Sequence, residues 1–207
     1  NRKLNQAGTE QKHVHFVGNI LMDTLRHNYN RFIKPDIFTS LNLQEKQYIL
    51  LTLNRRSLIE KEETLSAILR TLQTNTSVPI IAPVHNYIRE KIAQLTINSN
   101  RIHIIEPQPY LSFGYLTSHA KAIVTDSGNV AEEATFMGIP CITLNNYAEH
   151  PETASIGSNF LAGEDGEALA EALQLLEKSQ WKKSQLPERW DGRTAERIVQ
   201  TLLEKFE

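Results

Sequence analysis

The chain has 207 residues, of which 40% are apolar and 22% are charged, with a single cysteine. These values are typical of ordinary globular domains and exclude collagen-like, low-complexity and disulfide-scaffold proteins. Its 22 lysines and arginines are offset by 24 aspartates and glutamates, a formal net charge of −2, so the basic excess expected of a nucleic-acid-binding protein is missing.

The cysteine and the chain start bear on the cellular compartment. Cys141 cannot form an internal disulfide and lies in the apolar run 140–144, so we expect a buried thiol in a reducing cytoplasm. No apolar stretch reaches the ~20 residues of a membrane span, and the first residues lack the apolar segment of a secretory signal. The sequence does not begin with methionine, and we expect further residues upstream of Asn1.

Short apolar runs alternate along the chain with longer segments of helical periodicity. The apolar residues within each run are continuous rather than alternating, as expected of parallel strands covered on both faces. The predicted strands are 14–17, 48–53, 80–84, 102–106, 122–125 and 141–144, with a further short run at 160–162.

The segments between these runs predict helices, because apolar residues recur in them at helical spacing. Alternation of strands and helices in turn predicts right-handed crossovers and a doubly wound parallel sheet. We therefore expect one Rossmann-like α/β domain of about six strands over residues 1–207. The predicted helices are 19–32, 60–74, 87–95, 110–118, 130–136, 167–178 and 194–206.

Ligands of such sheets bind beyond the carboxyl ends of the strands, and the most informative of these ends lies at 122–133. There a predicted strand runs into Ser127 and Gly128, which open a helix. Exposed amide groups and the positive end of the helix dipole favour a phosphate at such a turn, and a glycine allows close approach. Glu133 lies one helical turn after Asn129 on the same face, where its carboxylate could accept hydrogen bonds from ribose hydroxyls. The sequence leaves open the alternative that Ser127 is a simple helix N-cap and Glu133 a solvated charge.

Residues 126–134, followed by Gly138 and Pro140, resemble the signature DSGG-x-x-EEA…G-x-P of the bacterial non-hydrolysing UDP-N-acetylglucosamine 2-epimerases. Other motifs of that family are matched in the same order along almost the whole chain. They are VGN-x-x-x-D at 16–23, T-x-HRRE at 51–56, PVH at 83–85, P-x-x-Y-x-x-F at 106–113 and ERPE…G-x-N at 149–159.

The resemblance implies a domain organisation and a reaction. Members of the family have two Rossmann-like domains of the GT-B type, with the UDP-sugar in the cleft between them. This chain would be the carboxyl-terminal domain of a homodimeric enzyme, with its last helix, at about 193–207, packed against the missing amino-terminal domain. The implied reaction converts UDP-GlcNAc to UDP-ManNAc by elimination and re-addition of UDP, without a cofactor or metal.

The resemblance also assigns residue roles. The family's acid–base carboxylates belong to the amino-terminal domain, so we expect no catalytic residue in this chain and no activity from the chain alone. Phe113 corresponds to an aromatic residue that packs on uracil, Gln108 to the base-edge position and Glu133 to the ribose carboxylate. The residues expected to bind UDP or UDP-N-acetylhexosamine are Asn54, Gln108, Phe113, Ser127, Gly128, Asn129, Glu133 and His150.

Three of these positions depart from the family's pattern. Asn54 stands in place of a histidine; it can donate a hydrogen bond to phosphate but cannot titrate, although Arg56 nearby could supply positive charge. His150 replaces an arginine, is shorter and is mostly neutral near pH 7. Asn129 replaces the second glycine of the phosphate turn. A hydrolysing epimerase, a GT-B glycosyltransferase domain and a non-catalytic sugar-nucleotide-binding relative therefore remain as alternatives.

Two other signals do not indicate a site. His13 and His15 would point to one side of the first predicted strand, but two histidines without acidic or thiol neighbours do not make a metal site. The sequence contains neither G-x-G-x-x-G nor a Walker-type G-K-[ST], which argues against dinucleotide and P-loop nucleotide binding.

Overall fold

A computed structural model describes residue 6, residues 8–95 and residues 100–206 of the chain. The described residues form two compact units. The larger unit is Arg31–Gln185, and the smaller unit combines the residues that precede Arg31 with those that follow Gln185. All strands of the described chain, and all eight residues expected to bind ligand, lie in the larger unit.

The larger unit is built on a six-stranded parallel sheet. Its strands are β1 (Ile49–Thr52), β2 (Ile80–Pro83), β3 (Ile102–Ile105), β4 (Ala122–Thr125), β5 (Cys141–Thr143) and β6 (Asn159–Leu161). They are ordered β3-β2-β1-β4-β5-β6, and each neighbouring pair is parallel. Every residue of β1, β4 and β5 is buried, as the continuous apolar runs require. The predicted Rossmann-like sheet is confirmed.

Helices follow the strands and cover both faces of the sheet. The helices are α1 (Ile20–Asn28), α2 (Asp36–Ser40), α3 (Arg56–Ile59), α4 (Glu62–Asn75), α5 (Asn86–Gln94), α6 (Tyr110–His119), α7 (Gly128–Met137), α8 (Pro151–Ser155), α9 (Gly166–Glu177) and α10 (Thr194–Phe206). One buried cluster joins the sheet to α4, α5 and α9, and a second joins it to α2, α6 and α7. The short helices α2, α3 and α8 have too few residues to show a helical period, and the sequence did not predict them.

The sheet reverses its winding between β1 and β4, which are neighbours in space but not in sequence. Their register pairs Thr52 with Thr125 at the last position of each strand, and the two hydroxyl oxygens lie 2.6 Å apart. The loops that follow β1 and β4 therefore leave the sheet side by side. In open α/β sheets this is the point where a ligand crevice forms.

The smaller unit corrects one prediction, because residues 14–17 do not form a strand. Arginine side chains, rather than a neighbouring strand, bind carbonyl groups of this segment. Arg189 donates to the carbonyl of Phe16, and Nη1 of Arg197 donates to that of Val17 at 3.2 Å. An apolar, β-branched run becomes a strand only where a backbone partner is available, and the sheet described above does not include this segment.

The smaller unit contains α1 and α10, and Asp23 joins them. The carboxylate of Asp23 accepts hydrogen bonds from the amides of Thr194 at 3.0 Å and Ala195 at 2.8 Å, which stabilises the start of α10. The helix has the predicted bounds 194–206, whereas the last residue of the predicted segment, 207, lies outside the described residues. Its apolar face is exposed at Ile198, Val199, Leu202 and Leu203, by 37–61%.

Candidate functional site at the sheet switch point

The phosphate turn predicted from the sequence lies where β4 passes into α7. The amide of Ser127 donates to Oγ1 of Thr125 at 3.0 Å, and α7 begins at Gly128. Ser127 is the N-cap residue of α7, as the alternative interpretation expected, but its side chain makes no capping hydrogen bond. The first amide groups of any α-helix lack intrahelical acceptors, and Gly128 and Asn129, in the first turn of α7, line the crevice between the β1 and β4 loops.

Asn129 does not need a left-handed backbone, because it lies in the first turn of α7. Gly128 is likewise helical; its lack of a side chain provides space rather than conformational freedom. A Cβ atom built on Gly128 would overlap the carboxylate of Glu149, whose Cδ would lie 2.8 Å away. Only glycine lets the Glu149 side chain approach this backbone so closely.

Asp126 fixes the two loops to each other. Its Oδ2 accepts hydrogen bonds from the amides of Asn54 at 2.7 Å and Arg55 at 2.8 Å, and Nε of Arg55 donates to the carbonyl of Asp126 at 2.7 Å. The Asp126 side chain is fully buried. Burial raises the pKa of its carboxyl group, and the hydrogen bonds from the Arg55 and Asn54 amides oppose that rise.

The switch-point cleft, as we name it, has a volume of about 190 Å³ and opens to solvent between these loops. Arg55 supplies its positive charge: the guanidinium forms an ion pair with Glu149 and donates to the hydroxyl of Tyr147 at 3.0 Å. Arg56, in contrast, is exposed outside the cleft and lies 6.0 Å from the ring centre of Tyr87. The cleft is lined by Asn54, Arg55, Asp126, Ser127, Gly128, Asn129 and Glu149.

Glu133 is not a solvated charge, since only 8% of the residue is exposed. Burial, reinforced by the neighbouring carboxylate of Glu132, raises its pKa to about 7. The pKa of the neighbouring Tyr110 phenol is also raised, first by burial and second by the negative charge of Glu133. A buried carboxyl group that is close to half-ionised at neutral pH is a common feature of ligand sites.

His150 contacts the carboxylate next to Glu133. Its Nδ1 lies 3.3 Å from Oε1 of Glu132, which is itself buried. In its protonated form His150 therefore forms an ion pair with Glu132, and it does not line the switch-point cleft.

Gln108 and Phe113 are not among the residues that line the cleft. Nε2 of Gln108 donates to the carbonyl of Glu106 at 2.9 Å, which holds the side chain against its own loop after β3. Phe113 is half-buried on α6, where it packs against the second hydrophobic cluster. Of the eight predicted residues, the cleft thus brings together Asn54, Ser127, Gly128 and Asn129.

Sequence reasoning did not assign roles to Asp126, Tyr147 or Glu149, and it favoured Arg56 where Arg55 lines the cleft. Asp126 and Glu149 both lie inside motifs that the sequence singled out. Their contacts join segments 71–94 residues apart, and neither composition nor periodicity reports on such pairing.

Among the described residues, no group of three or more histidine, cysteine, aspartate or glutamate side chains is arranged to hold a metal ion. His13 lies in a 3-10 turn, Gln11–His13, and not on a strand beside His15. No helix of the described chain combines the length and the hydrophobicity that a bilayer crossing requires.

Comparison with known proteins gives consistent matches. The family model for UDP-N-acetylglucosamine 2-epimerase matches residues 1–203. The UDP-N-acetylglucosamine 2-epimerase of Methanocaldococcus jannaschii is 32% identical over 211 residues, which cover 95% of this chain and 56% of the relative. The chain spans about half the length of the curated relatives it matches.

Solved structures agree with the sequence matches. The M. jannaschii UDP-GlcNAc 2-epimerase in complex with UDP-GlcNAc and UDP is similar with a TM-score of 0.82 and 30% identity, covering 98% of this chain and 58% of that one. The Neisseria meningitidis enzyme bound to UDP-GlcNAc gives a TM-score of 0.84 and 27% identity, with the same coverage of 98% and 58%.

Proposed function

The chain belongs to the UDP-N-acetylglucosamine 2-epimerase family, and on this basis we propose that it is the UDP-binding, carboxyl-terminal half of such an enzyme. The whole protein would convert UDP-GlcNAc to UDP-ManNAc by elimination and re-addition of UDP. It would act as a cytoplasmic homodimer, with the ligand held between this half and an amino-terminal domain.

One observation carries the proposal: at the switch point of the sheet, an amide-rich turn and an arginine face the same open cleft. The first turn of α7 supplies amide donors and the positive end of a helix dipole. Arg55 adds a planar guanidinium, which suits phosphate oxygens better than a point charge does. Ser127 and Asn54 contribute side chains that can donate to phosphate, and the Ser127 hydroxyl is not occupied in capping. A diphosphate matches this set of donors.

We propose that the nucleoside is held by the residues beside the cleft. Glu133, one helical turn along α7 from the diphosphate turn, would accept hydrogen bonds from the ribose hydroxyls. Phe113 would pack on the uracil ring, and the loop at Gln108 would contact the base edge. Burial of Glu133 supports its role, because a buried carboxylate gains more from hydrogen-bond donors than an exposed one does.

The chemistry of epimerisation would depend on the other domain. Inversion at C2 needs groups on opposite faces of the sugar ring, whereas Glu132 and Glu133 are adjacent on one helix. We therefore expect the 207-residue chain alone to be inactive. The exposed apolar face of α10 supports the existence of a second domain, because a face of this size is normally covered.

A titration of the ¹⁵N-labelled chain with UDP tests the proposal. The amides of Gly128, Asn129 and Phe113 should shift first, and uridine without phosphates should shift Phe113 with much less effect on the turn. Ser127→Ala should weaken UDP binding about threefold or more and leave stability unchanged, because its hydroxyl caps nothing. A loss of about 1 kcal/mol in stability, the usual value for an N-cap, with unchanged UDP binding would contradict the proposal.

A non-catalytic sugar-nucleotide-binding relative is the second candidate, and Asn54 favours it. An asparagine at the family's histidine position cannot transfer a proton. In the full-length protein, Asn54→His should raise epimerase activity if the histidine is what the enzyme lacks. Absence of activity in both proteins, with UDP-GlcNAc still bound, would favour the non-catalytic role; release of free ManNAc would indicate a hydrolysing epimerase.

A further inference from the structure

The switch-point cleft already contains an anion, and it belongs to the protein. Glu149 extends its carboxylate over the backbone of Gly128, close enough that a single methyl group on that glycine would overlap it. The same carboxylate forms an ion pair with Arg55. Both groups that would receive a phosphate in the proposed function, the turn and the arginine, are thus in contact with one side chain.

We propose that Glu149 is an internal competitor for the anion site: its carboxylate occupies the phosphate position of the unliganded cleft and must leave when a diphosphate binds. The inference rests on the proposed function of this cleft. It adds that Glu149 sets the affinity of the site, by making the ligand displace an existing ion pair.

The position of Glu149 is consistent with displacement. Its side chain is 34% exposed and that of Arg55 is 30% exposed, so the carboxylate can swing into solvent without crossing a packed core. Glu149 lies in the connection between β5 and α8, outside any helix or strand. Ion pairs at this level of exposure are weak, so a ligand with more than one negative charge can replace the carboxylate.

Two further residues, Tyr147 and Asp126, fix the position of the Arg55 guanidinium. Tyr147 holds the guanidinium through a hydrogen bond of 3.0 Å and stacks beside it, with its ring centre 5.6 Å away. Nε of Arg55 is bound to the carbonyl of Asp126. Arg55 is therefore held at the cleft by groups other than Glu149, and removal of the carboxylate should leave the cation in place and available.

The test is isothermal titration of the wild-type chain and of Glu149→Gln with UDP and with inorganic pyrophosphate. Glutamine keeps the shape of the side chain and removes its charge. We expect both ligands to bind Glu149→Gln about fivefold more tightly than the wild type. Glu171→Gln is the matched control: it removes one negative charge from an exposed position on α9, outside the cleft, and should change neither affinity by more than about 1.5-fold.

The outcomes separate this inference from the proposed function. Equal or weaker binding of both ligands to Glu149→Gln, with normal UDP binding by the wild type, overturns the competitor role and leaves the UDP site intact. Tighter pyrophosphate binding without any UDP binding supports the competitor role and refutes the nucleotide assignment. If neither chain binds either ligand, the proposed function and the inference are both wrong.

Discussion

Glu133 makes the stability of the protein depend on pH in a direction opposite to that of most salt-bridged carboxylates. Burial, with the charge of Glu132 as a second cause, raises the pKa of Glu133 from 4.5 to about 7. Each pKa unit corresponds to 1.36 kcal/mol, so the full shift amounts to about 3 kcal/mol. Because the folded-state pKa is the higher one, the unfolded chain loses its proton first as the pH rises. Stability contributed by this group is therefore present below about pH 4.5 and is lost progressively up to about pH 7.

The substitution Glu133→Gln removes this dependence while keeping the size of the side chain. We compare the free energy of unfolding of the variant minus that of the wild type at two pH values. This difference should be about 3 kcal/mol larger at pH 8 than at pH 4.5. Urea unfolding followed by tryptophan fluorescence measures it when both proteins also carry Trp190→Phe, because the remaining Trp181 packs near Phe160 in the same unit as Glu133. Taking the difference between variant and wild type cancels the titrating groups that do not interact with Glu133.

The control for this experiment is Glu171→Gln, which neutralises an exposed carboxylate and should give a difference that is flat within about 0.5 kcal/mol. Parallel pH profiles for wild type and Glu133→Gln would contradict this prediction, since they would mean that Glu133 ionises equally in the folded and unfolded states. Under the proposed function the same group has a second effect. Ribose hydroxyls donate to the ionised form, so UDP affinity should rise more steeply from pH 6 to 8 in the wild type than in the variant. The terminal phosphate of UDP also ionises in this range, but it affects both proteins alike.

Three further predictions test the cleft and the smaller unit. Asp126→Ala should cost about 3 kcal/mol in unfolding free energy, because two amides lose a buried charged acceptor. Asp165→Ala removes an exposed helix cap that accepts from two amides at 2.8 and 3.5 Å and should cost about 1 kcal/mol; equal losses in urea unfolding would contradict the importance of the buried carboxylate. Arg55→Gln should weaken UDP binding about fivefold or more in calorimetric titration and Arg56→Gln should not, so equal effects would argue against the cleft as the phosphate site. The exposed apolar face of α10 should make the isolated chain self-associate, and Leu203→Gln should reduce that association in sedimentation velocity with a stability change within about 0.5 kcal/mol. A wild-type chain that remains monomeric at high concentration would exclude association through α10.

The strands of the sheet were predictable because burial on both faces leaves a local signature. The run 122–125 matches β4 at both ends, since every residue there is apolar or is a threonine bonded to the neighbouring strand. The run 14–17 has a similar composition and forms no strand, because a strand also needs a partner and a run of apolar residues does not reveal whether one exists. The family resemblance, carried by motifs in collinear order, is confirmed by the comparisons.

The passage from β4 through Ser127 into α7 was predictable for a different reason: its sequence signals are local. A strand that ends in Ser127 and Gly128 and then enters a helix presents amide groups and a dipole wherever it lies in the fold. The ionisation of Glu133 was not predictable, because its spacing from Asn129 predicts a shared helix face but not what covers that face. Only the packing of α7 decides between a solvated charge and a carboxyl group with its pKa near 7.

The sequence could not identify the charged groups of the cleft, because their roles depend on contacts between loops that are distant in sequence. A phosphate turn is common to many α/β proteins; what determines its affinity is which charges from other loops meet it. Asp126, Arg55 and Glu149 come from three loops, and each is explained by contact with the others rather than by its neighbours in sequence. Substitutions of the partly exposed Arg55 and Glu149 side chains should therefore change affinity with little effect on stability, whereas loss of the buried Asp126 carboxylate, which holds two of the loops together, should change both. The contrast between Glu149→Gln and Asp126→Ala measures this difference directly: the first should alter binding with little loss of stability, and the second should alter stability first.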